Sequence, residues 1–209
     1  DTQTETAPPY VPGGNDRDIE DLFWILDGGG MDVLVSYGAT HSLVRVDLNA
    51  TEPLPLQRFA HSIGVIARGG TAQVYSRTDR PAELYFGTSA SDARVLTSLN
   101  AAAGGMQLPS AEAVRWKGPV GDVEGILFKP SGYNAKQRYP LLVNPHGGPR
   151  GHSNLDFDPA VAYWTSLGYV VLKPNFRGST GYGDAFTKGN IGDWGQGPFE
   201  DVMAGVDAL

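Results

Sequence analysis

No cysteine occurs in the 209 residues of the chain, which excludes a disulfide framework, thiolate metal sites and a cysteine nucleophile. No run of 18 apolar residues is present either, so no segment reads as a membrane-crossing helix. Positive charge is scarce. Sixteen Lys and Arg against 23 Asp and Glu give a formal net charge of −7 and a pI of about 5.0. That balance argues against a nucleic-acid partner, because phosphate binding needs a basic face. The chain opens Asp1-Thr2-Gln3, without an initiator Met or an apolar signal region, as expected of a processed chain or an excerpt. Glycine (28 residues) and proline (15) are abundant. With 41% hydrophobic and 10% aromatic residues, they favour a packed structure of short strands and tight connections over a helical bundle.

A displacement of 41 residues brings Trp24-Ile25-Leu26 onto Val65-Ile66-Ala67, Gly28-Gly29 onto Gly69-Gly70, Val33 onto Val74, and Leu43-Val44 onto Leu84-Tyr85. Each unit holds β-rich runs: Leu22–Leu26, Met31–Tyr37 and Ser42–Leu48, then Ser62–Arg68, Thr71–Arg77 and Ala82–Gly87. Asp27-Gly28-Gly29-Gly30, Gly38-Ala39-Thr40, Arg68-Gly69-Gly70 and Ser89–Asp92 separate them as turn signals. A unit of about 40 to 45 residues with four strands is the signature of a β-propeller blade; a plain β-meander is the alternative. Two blades do not close a ring of roughly four to eight. Residues 1–100 are therefore expected to be the last blades of a propeller.

Residues 101–113 read as a linker, and residues 114–209 as a different domain. Val114-Arg115-Trp116 and Val123–Pro130 are expected strands, and Leu141-Leu142-Val143 and Tyr169–Leu172 are short apolar runs typical of strands buried on both faces. Between them Asp158–Leu167 has helical character, with Asp158 as N-cap, Pro159 at the first helical position and Gly168 just past the end. Phe199–Leu209 starts a further helix with Val202, Val206 and Leu209 on one face. Strand, helix, strand, loop, helix is half of a doubly wound α/β domain.

Two loops carry the chemistry. Asn144-Pro145-His146-Gly147-Gly148-Pro149 follows the first buried strand directly. Backbone N–H groups freed by paired glycines there can stabilise the oxyanion of acyl transfer; an ordinary strand-end turn is the bland alternative. Pro174–Gly183 follows the second buried strand. Its glycines, Gly178, Gly181 and Gly183, have the spacing G-x-x-G-x-G, not that of a dinucleotide site. Arg177 in this loop either contacts substrate or locks the loop to a carbonyl or carboxylate.

Together, Tyr139–Pro149, Gly168–Gly183, Gly192-Asp193-Trp194-Gly195 and Glu200-Asp201 resemble the prolyl oligopeptidase family of serine peptidases (S9), in its acylaminoacyl-peptidase and dipeptidyl-peptidase-like branch. The resemblance implies an α/β-hydrolase domain preceded by a β-propeller, in agreement with the repeat. It implies a serine-type peptidase that cleaves short peptides or acyl-peptides by acyl-enzyme chemistry, with the propeller screening substrates by size. Gly148 and Gly147 would supply oxyanion-hole N–H groups, and His146, Pro149, Arg177 and Tyr182 are candidates for the substrate cleft. An esterase of the same fold, or a non-catalytic propeller-bearing protein, are the alternatives.

The family uses a Ser-Asp-His triad in that order, with the Ser on a G-x-S-x-G elbow. No Ser of this chain has Gly at both −2 and +2: Ser89 has Gly87 but Ser91 opposite, and Ser153 has Gly151 but Leu155 opposite. From usual connection and strand lengths, the nucleophile is expected some 10–20 residues beyond Leu209, and the chain by itself is expected to be inactive. His146 is then a brace for its loop rather than a base, and His41 and His61 are structural. His146, His152, Asp156 and Asp158 lie on an interrupted loop and make a poor metal site, so no metal or cofactor is expected. Trp164 and Trp194 are expected to pack rather than to contact substrate. Compartment is not assigned by the sequence, and a homo-oligomer is left open.

Overall fold

The computed structural model describes residues 18–24, 29–47, 57–59, 64–67, 70–87, 93–148 and 150–209. Pro149, His61 and the turn positions 25–28, 68–69 and 88–92 lie outside this set. Four strands, β1 (Ile19–Trp24), β2 (Gly30–Tyr37), β3 (Thr40–Asp47) and β4 (Gln57–Phe59), form one antiparallel sheet in chain order. A second sheet repeats the arrangement with β5 (Gly64–Ala67), β6 (Gly70–Arg77), β7 (Arg80–Gly87) and β8 (Arg94–Val95).

The two central strands of the sheets repeat at 40 residues, since β2 and β3 start at 30 and 40 and β6 and β7 at 70 and 80, whereas the outer pairs β1/β5 and β4/β8 start 45 and 37 apart. This is one residue less than the 41 that apolar matching gives. Side chains alternate faces along a strand, so an offset wrong by one places every residue on the opposite face. At 40, Val33 meets Gln73, each 3% exposed, and Ser36 meets Ser76, both buried. The identity of the inward residue changed between the units while its position did not. A turn at Gly38-Ala39 joins β2 to β3, and Gly38 supplies its positive φ of 57°.

The third sheet has the order β11-β12-β10-β9, made of β9 (Ser110–Gly118), β10 (Gly121–Lys129), β11 (Leu141–Val143) and β12 (Val170–Asn175). β9 begins inside the segment expected as linker, because Ser110 pairs with Lys129 and the register holds through Gly118–Gly121. The residues just before the expected linker are tied to the second sheet. The Glu83 carboxylate accepts from the Leu99 and Asn100 N–H groups at 3.0 and 2.8 Å, and Asn100 Nδ2 donates to the Ala82 carbonyl at 2.7 Å. β10 runs antiparallel to both neighbours and β11 runs parallel to β12, so the sheet is mixed rather than purely parallel. β11 occupies the edge and is only partly buried, unlike the doubly covered strand expected; β12 is buried along nearly its whole length.

Helices α1 (Pro159–Ser166), α2 (Asp184–Thr187) and α3 (Gln196–Ala208) complete the described chain. α1 starts as its sequence indicates: the Asp158 carboxylate accepts from the Ala160 and Val161 N–H groups at 2.9 and 3.3 Å. Ile126, Phe128, Val161 and Val171 form the core on the α1 side of the sheet, and Trp116, Val123, Leu127 and Leu172 form it on the other. Burying each of these larger side chains contributes about 1.5–3 kcal/mol. α3 covers the second side, but not through the expected face. Its buried residues are Gly197, Pro198, Asp201 and Gly205, while Val202 and Val206 are only partly buried and Leu209 is exposed. Gly205 lets the helix lie against the Trp116 ring, and Trp116 Nε1 donates to the Asp201 carbonyl at 2.8 Å.

Candidate active site

Because β11 and β12 are parallel neighbours, their carboxyl ends open on one edge of the sheet, where crevices of α/β folds form. The Asn144 N–H donates to the Leu172 carbonyl at 2.8 Å, extending the ladder by one residue. Pro145 then has no N–H to give, and the chain leaves the sheet. Gly147 and Gly148 follow, both exposed. Gly148 has φ 142°, and a Cβ there would run into the Arg150 backbone; around Gly147 the Cβ position is open. Among the described residues, neither glycine N–H donates a hydrogen bond. Gly148 borders a cavity of about 540 Å³ together with Arg150, Lys188, Ile191 and Trp194. Trp194 is 73% exposed, so it is a wall of this cavity and not the packing residue expected. Trp164 does pack, edge-on to Tyr163 and Tyr169.

His146 braces the two loops against each other. Its ring lies parallel to Phe176, with centroids 4.6 Å apart and an interplanar angle of 8°. Nε2 is 2.8 Å from Ser179 Oγ, which itself lies 2.6 Å from the Phe176 carbonyl, and Nδ1 is 3.0 Å from the Gly147 carbonyl. Burial lowers the pKa of the ring below the usual 6.5; the Gly147 carbonyl works against this and the Lys173 charge adds to it. Near neutral pH the ring is therefore uncharged, a passive support that carries one hydrogen for its two polar contacts.

Arg177 is withdrawn from the cleft candidates. Its guanidinium is buried on Asp201: Nε donates to Oδ2 at 2.8 Å, Nη2 to Oδ1 at 2.6 Å, and the Arg177 N–H adds a third bond to Oδ2 at 2.9 Å. Tyr182 is withdrawn for a similar reason. Its hydroxyl accepts from Asn175 Nδ2 at 2.7 Å and donates to Glu124 Oε1 at 2.9 Å. Burial first, and then the Glu124 charge, raise its pKa far above the usual 10. Pro149 lies outside the described residues. The set His146, His152, Asp156 and Asp158 does not gather either. His146 is engaged with Ser179, and Asp158 caps α1 and pairs with Lys173 Nζ at 2.9 Å.

Glu124 is the residue sequence reasoning missed. One carboxylate oxygen accepts from the Ala39 N–H at 3.0 Å and from Tyr182, and the other from Arg115 Nε at 2.8 Å. It thereby joins the β2–β3 turn of the first sheet to the glycine-rich loop of the third. A lone acid inside the apolar run Val123-Glu124-Gly125-Ile126-Leu127-Phe128 was the legible sign, because a buried carboxylate needs donors.

Residues 155–209 match the family model of the Prolyl oligopeptidase family, Peptidase_S9. Dipeptidyl-peptidase 5 of Arthroderma otae is 39% identical over 85 residues, which cover 39% of this chain and 11% of that protein. The chain thus spans about a tenth of the length of the curated relatives it matches. Among solved structures, the acylaminoacyl peptidase of Pyrococcus horikoshii superposes with a TM-score of 0.79 at 22% identity, over 93% of this chain and 31% of its own. A puromycin-hydrolyzing peptidase of Mycobacterium tuberculosis superposes with a TM-score of 0.72 at 27% identity, over 88% of this chain and 30% of its own. The solved structures that this architecture resembles are S9 peptidases, which join a propeller to an α/β-hydrolase domain. The second loop and α3 lie inside the matched segment, and the family match, the curated relatives and the solved structures together support a place for the chain in the prolyl oligopeptidase family of peptidases (S9).

Proposed function

We propose that this chain is part of a serine-type peptidase that cleaves short peptides through an acyl-enzyme, and that it supplies the oxyanion-binding turn while the Ser-Asp-His triad comes from sequence outside it. In this reading the first two sheets are the last blades of the propeller, which limits substrates by size. Residues 114–209 begin the hydrolase domain, with its first strand reaching back to Ser110. The observation that carries the reading is Gly148, held at φ 142° at the carboxyl end of β11, with an N–H that no described residue occupies and with a cavity beside it.

The chemistry follows from that geometry. When a serine oxygen attacks the substrate carbonyl, the electron pair of the C=O bond moves onto oxygen, and the Gly148 N–H, with Gly147 beside it, faces the new charge. Donors fixed in advance about 2.7–3.1 Å from that oxygen stabilise the transition state more than the uncharged carbonyl, and loss of one costs about 10²–10³ in rate. His146 keeps the turn in position through Ser179, and Arg177–Asp201 keeps the Ser179 loop in position through α3. Trp194 and Ile191 give the cavity an apolar wall; of its charged lining, Lys188 is paired with Asp184, which also borders the cavity, and Arg150 with Asp18.

The test is labelling by a fluorophosphonate, followed by hydrolysis of dipeptidyl and acyl-aminoacyl anilides, the substrate classes named in the relatives. The protein containing the whole catalytic domain should label and should cleave amide substrates, whereas residues 1–209 alone should do neither. Strong labelling of the 209-residue chain would overturn the assignment of the nucleophile to outside sequence. Cleavage of esters with no cleavage of anilides would overturn the peptidase reading.

A further inference from the structure

Three groups with no part in the peptidase chemistry converge where the first sheet meets the third: Glu20 on β1, His41 on β3, and His152, four residues past Gly148. One carboxylate oxygen and one nitrogen from each ring lie within 4.8 Å of one another. The two rings meet edge to face, with centroids 4.8 Å apart at 78°, so they approach a common point from different directions instead of stacking. His41 is 8% exposed and His152 is partly buried. Two of the three groups are held by further contacts. His152 Nδ1 is 2.8 Å from Thr180 Oγ1, and Glu20 Oε1 accepts from the Ser36 hydroxyl. Imidazoles and carboxylates that bind metals are oriented through such second contacts.

We propose that Glu20, His41 and His152 hold one divalent cation of the zinc class, which clasps the first sheet to the segment following the Gly147–Gly148 turn. Two imidazole nitrogens and one carboxylate oxygen suit a borderline-soft ion of this kind; calcium and magnesium prefer shells of oxygen. Zinc bonds of about 2.0–2.2 Å place tetrahedral ligands about 3.4 Å apart. The observed spread closes to that value by rotation of the side chains, of which Glu20 is exposed and has room to turn. The fourth position is left to water. Direct contacts already join the same surfaces: Leu155 N–H to the Ala39 carbonyl at 2.9 Å, Gly38 N–H to the Gly181 carbonyl at 2.9 Å, and Gly181 N–H to Asp18 Oδ2 at 2.8 Å. A cation would add a bond between residues 20 and 152.

The experiment strips the 209-residue chain with a chelator and titrates Zn²⁺ against a chromophoric competitor, with Tm measured in parallel. The expected result is one equivalent per chain, a higher Tm with the ion, and affinity reduced at least ~10-fold by Glu20→Gln and by His41→Gln. His61→Gln should leave binding unchanged. Should His41→Gln fail to fold, Co²⁺ bound to the unaltered chain must show the visible absorption of a four- or five-coordinate ion, lost in Glu20→Gln. Absence of saturable binding overturns the proposal, as does binding indifferent to Glu20→Gln and His41→Gln, or binding abolished by His61→Gln. A purely hydrogen-bonded His-His-Glu cluster would give the first of these results.

Discussion

Asp201 on α3 receives three side-chain hydrogen bonds from one residue, Arg177: from its backbone N–H, from Nε and from Nη2, at 2.9, 2.8 and 2.6 Å. The carboxylate is fully buried, so the pair is a rivet between the glycine-rich loop and the helix and not a substrate contact. Removing one partner strands the other charge in a site closed to water. Arg177→Met and Asp201→Leu should each lower the unfolding free energy by about 3–5 kcal/mol, read by urea denaturation. The double variant should lose clearly less than the two singles together; strict additivity would show that the two residues are not coupled.

Gly147 and Gly148 should part company on substitution. Nothing lies within 4 Å of a Cβ at Gly147, and no positive φ is needed there, so Gly147→Ala should change stability by no more than about 0.5 kcal/mol. Gly148→Ala meets the Arg150 backbone at φ 142° and should cost about 1–3 kcal/mol locally. In the protein with its whole catalytic domain, Gly148→Ala keeps its N–H but shifts the backbone that aims it, and should lower kcat/KM by up to about 10²–10³-fold, the loss expected when one oxyanion donor is removed. Equal Tm values for the two variants would contradict the backbone geometry described.

His146 makes stability depend on pH in a definite direction. Its folded pKa is depressed below 6.5, chiefly by burial. Between the two values the unfolded chain binds a proton that the native one refuses, so stability rises with pH across this window. The contribution is complete above pH 6.5 and is lost as pH falls through the folded value. His146→Gln should flatten this part of the curve of urea midpoint against pH; a curve of unchanged slope would remove His146 as its source.

Gly205→Ala sets helix propensity against packing. Alanine is favoured in a helix interior by about 0.8–1 kcal/mol. A Cβ at this position, however, would stand 2.7 Å from the Trp116 ring, and overpacking of that kind costs about 1–3 kcal/mol. A net loss of Tm is expected, whereas a gain would mean that α3 can draw away from β9 without penalty.

What could be read in advance was whatever is encoded locally. Asp158 with Pro159 marks the start of α1 whatever surrounds it, and the apolar runs around Leu141 and Val170 place β11 and β12. The glycine pair after β11 is visible in the same way. The repeat was legible too, but its phase was not, because the inward position occupied by Val33 in one unit is occupied by Gln73 in the other. Arg177 and Tyr182 looked like cleft residues since the sequence does not state where their partners lie: Asp201 is 24 residues from Arg177, and Glu124 is 58 from Tyr182.

By itself, then, the sequence determined the strands, the capped helix and the two glycine-bearing loops, since backbone sterics and hydrophobic periodicity act over a few residues. Tertiary structure alone decided which polar groups meet. It chose Asp201 and Gly205 over the valines as the inner face of α3, placed Glu124 beneath Tyr182, and brought His41 to His152 across more than a hundred residues. Burial explains the difference. Once water is excluded, every charge and hydroxyl must find a partner in space, and distance along the chain imposes only a weak limit on which partner that is.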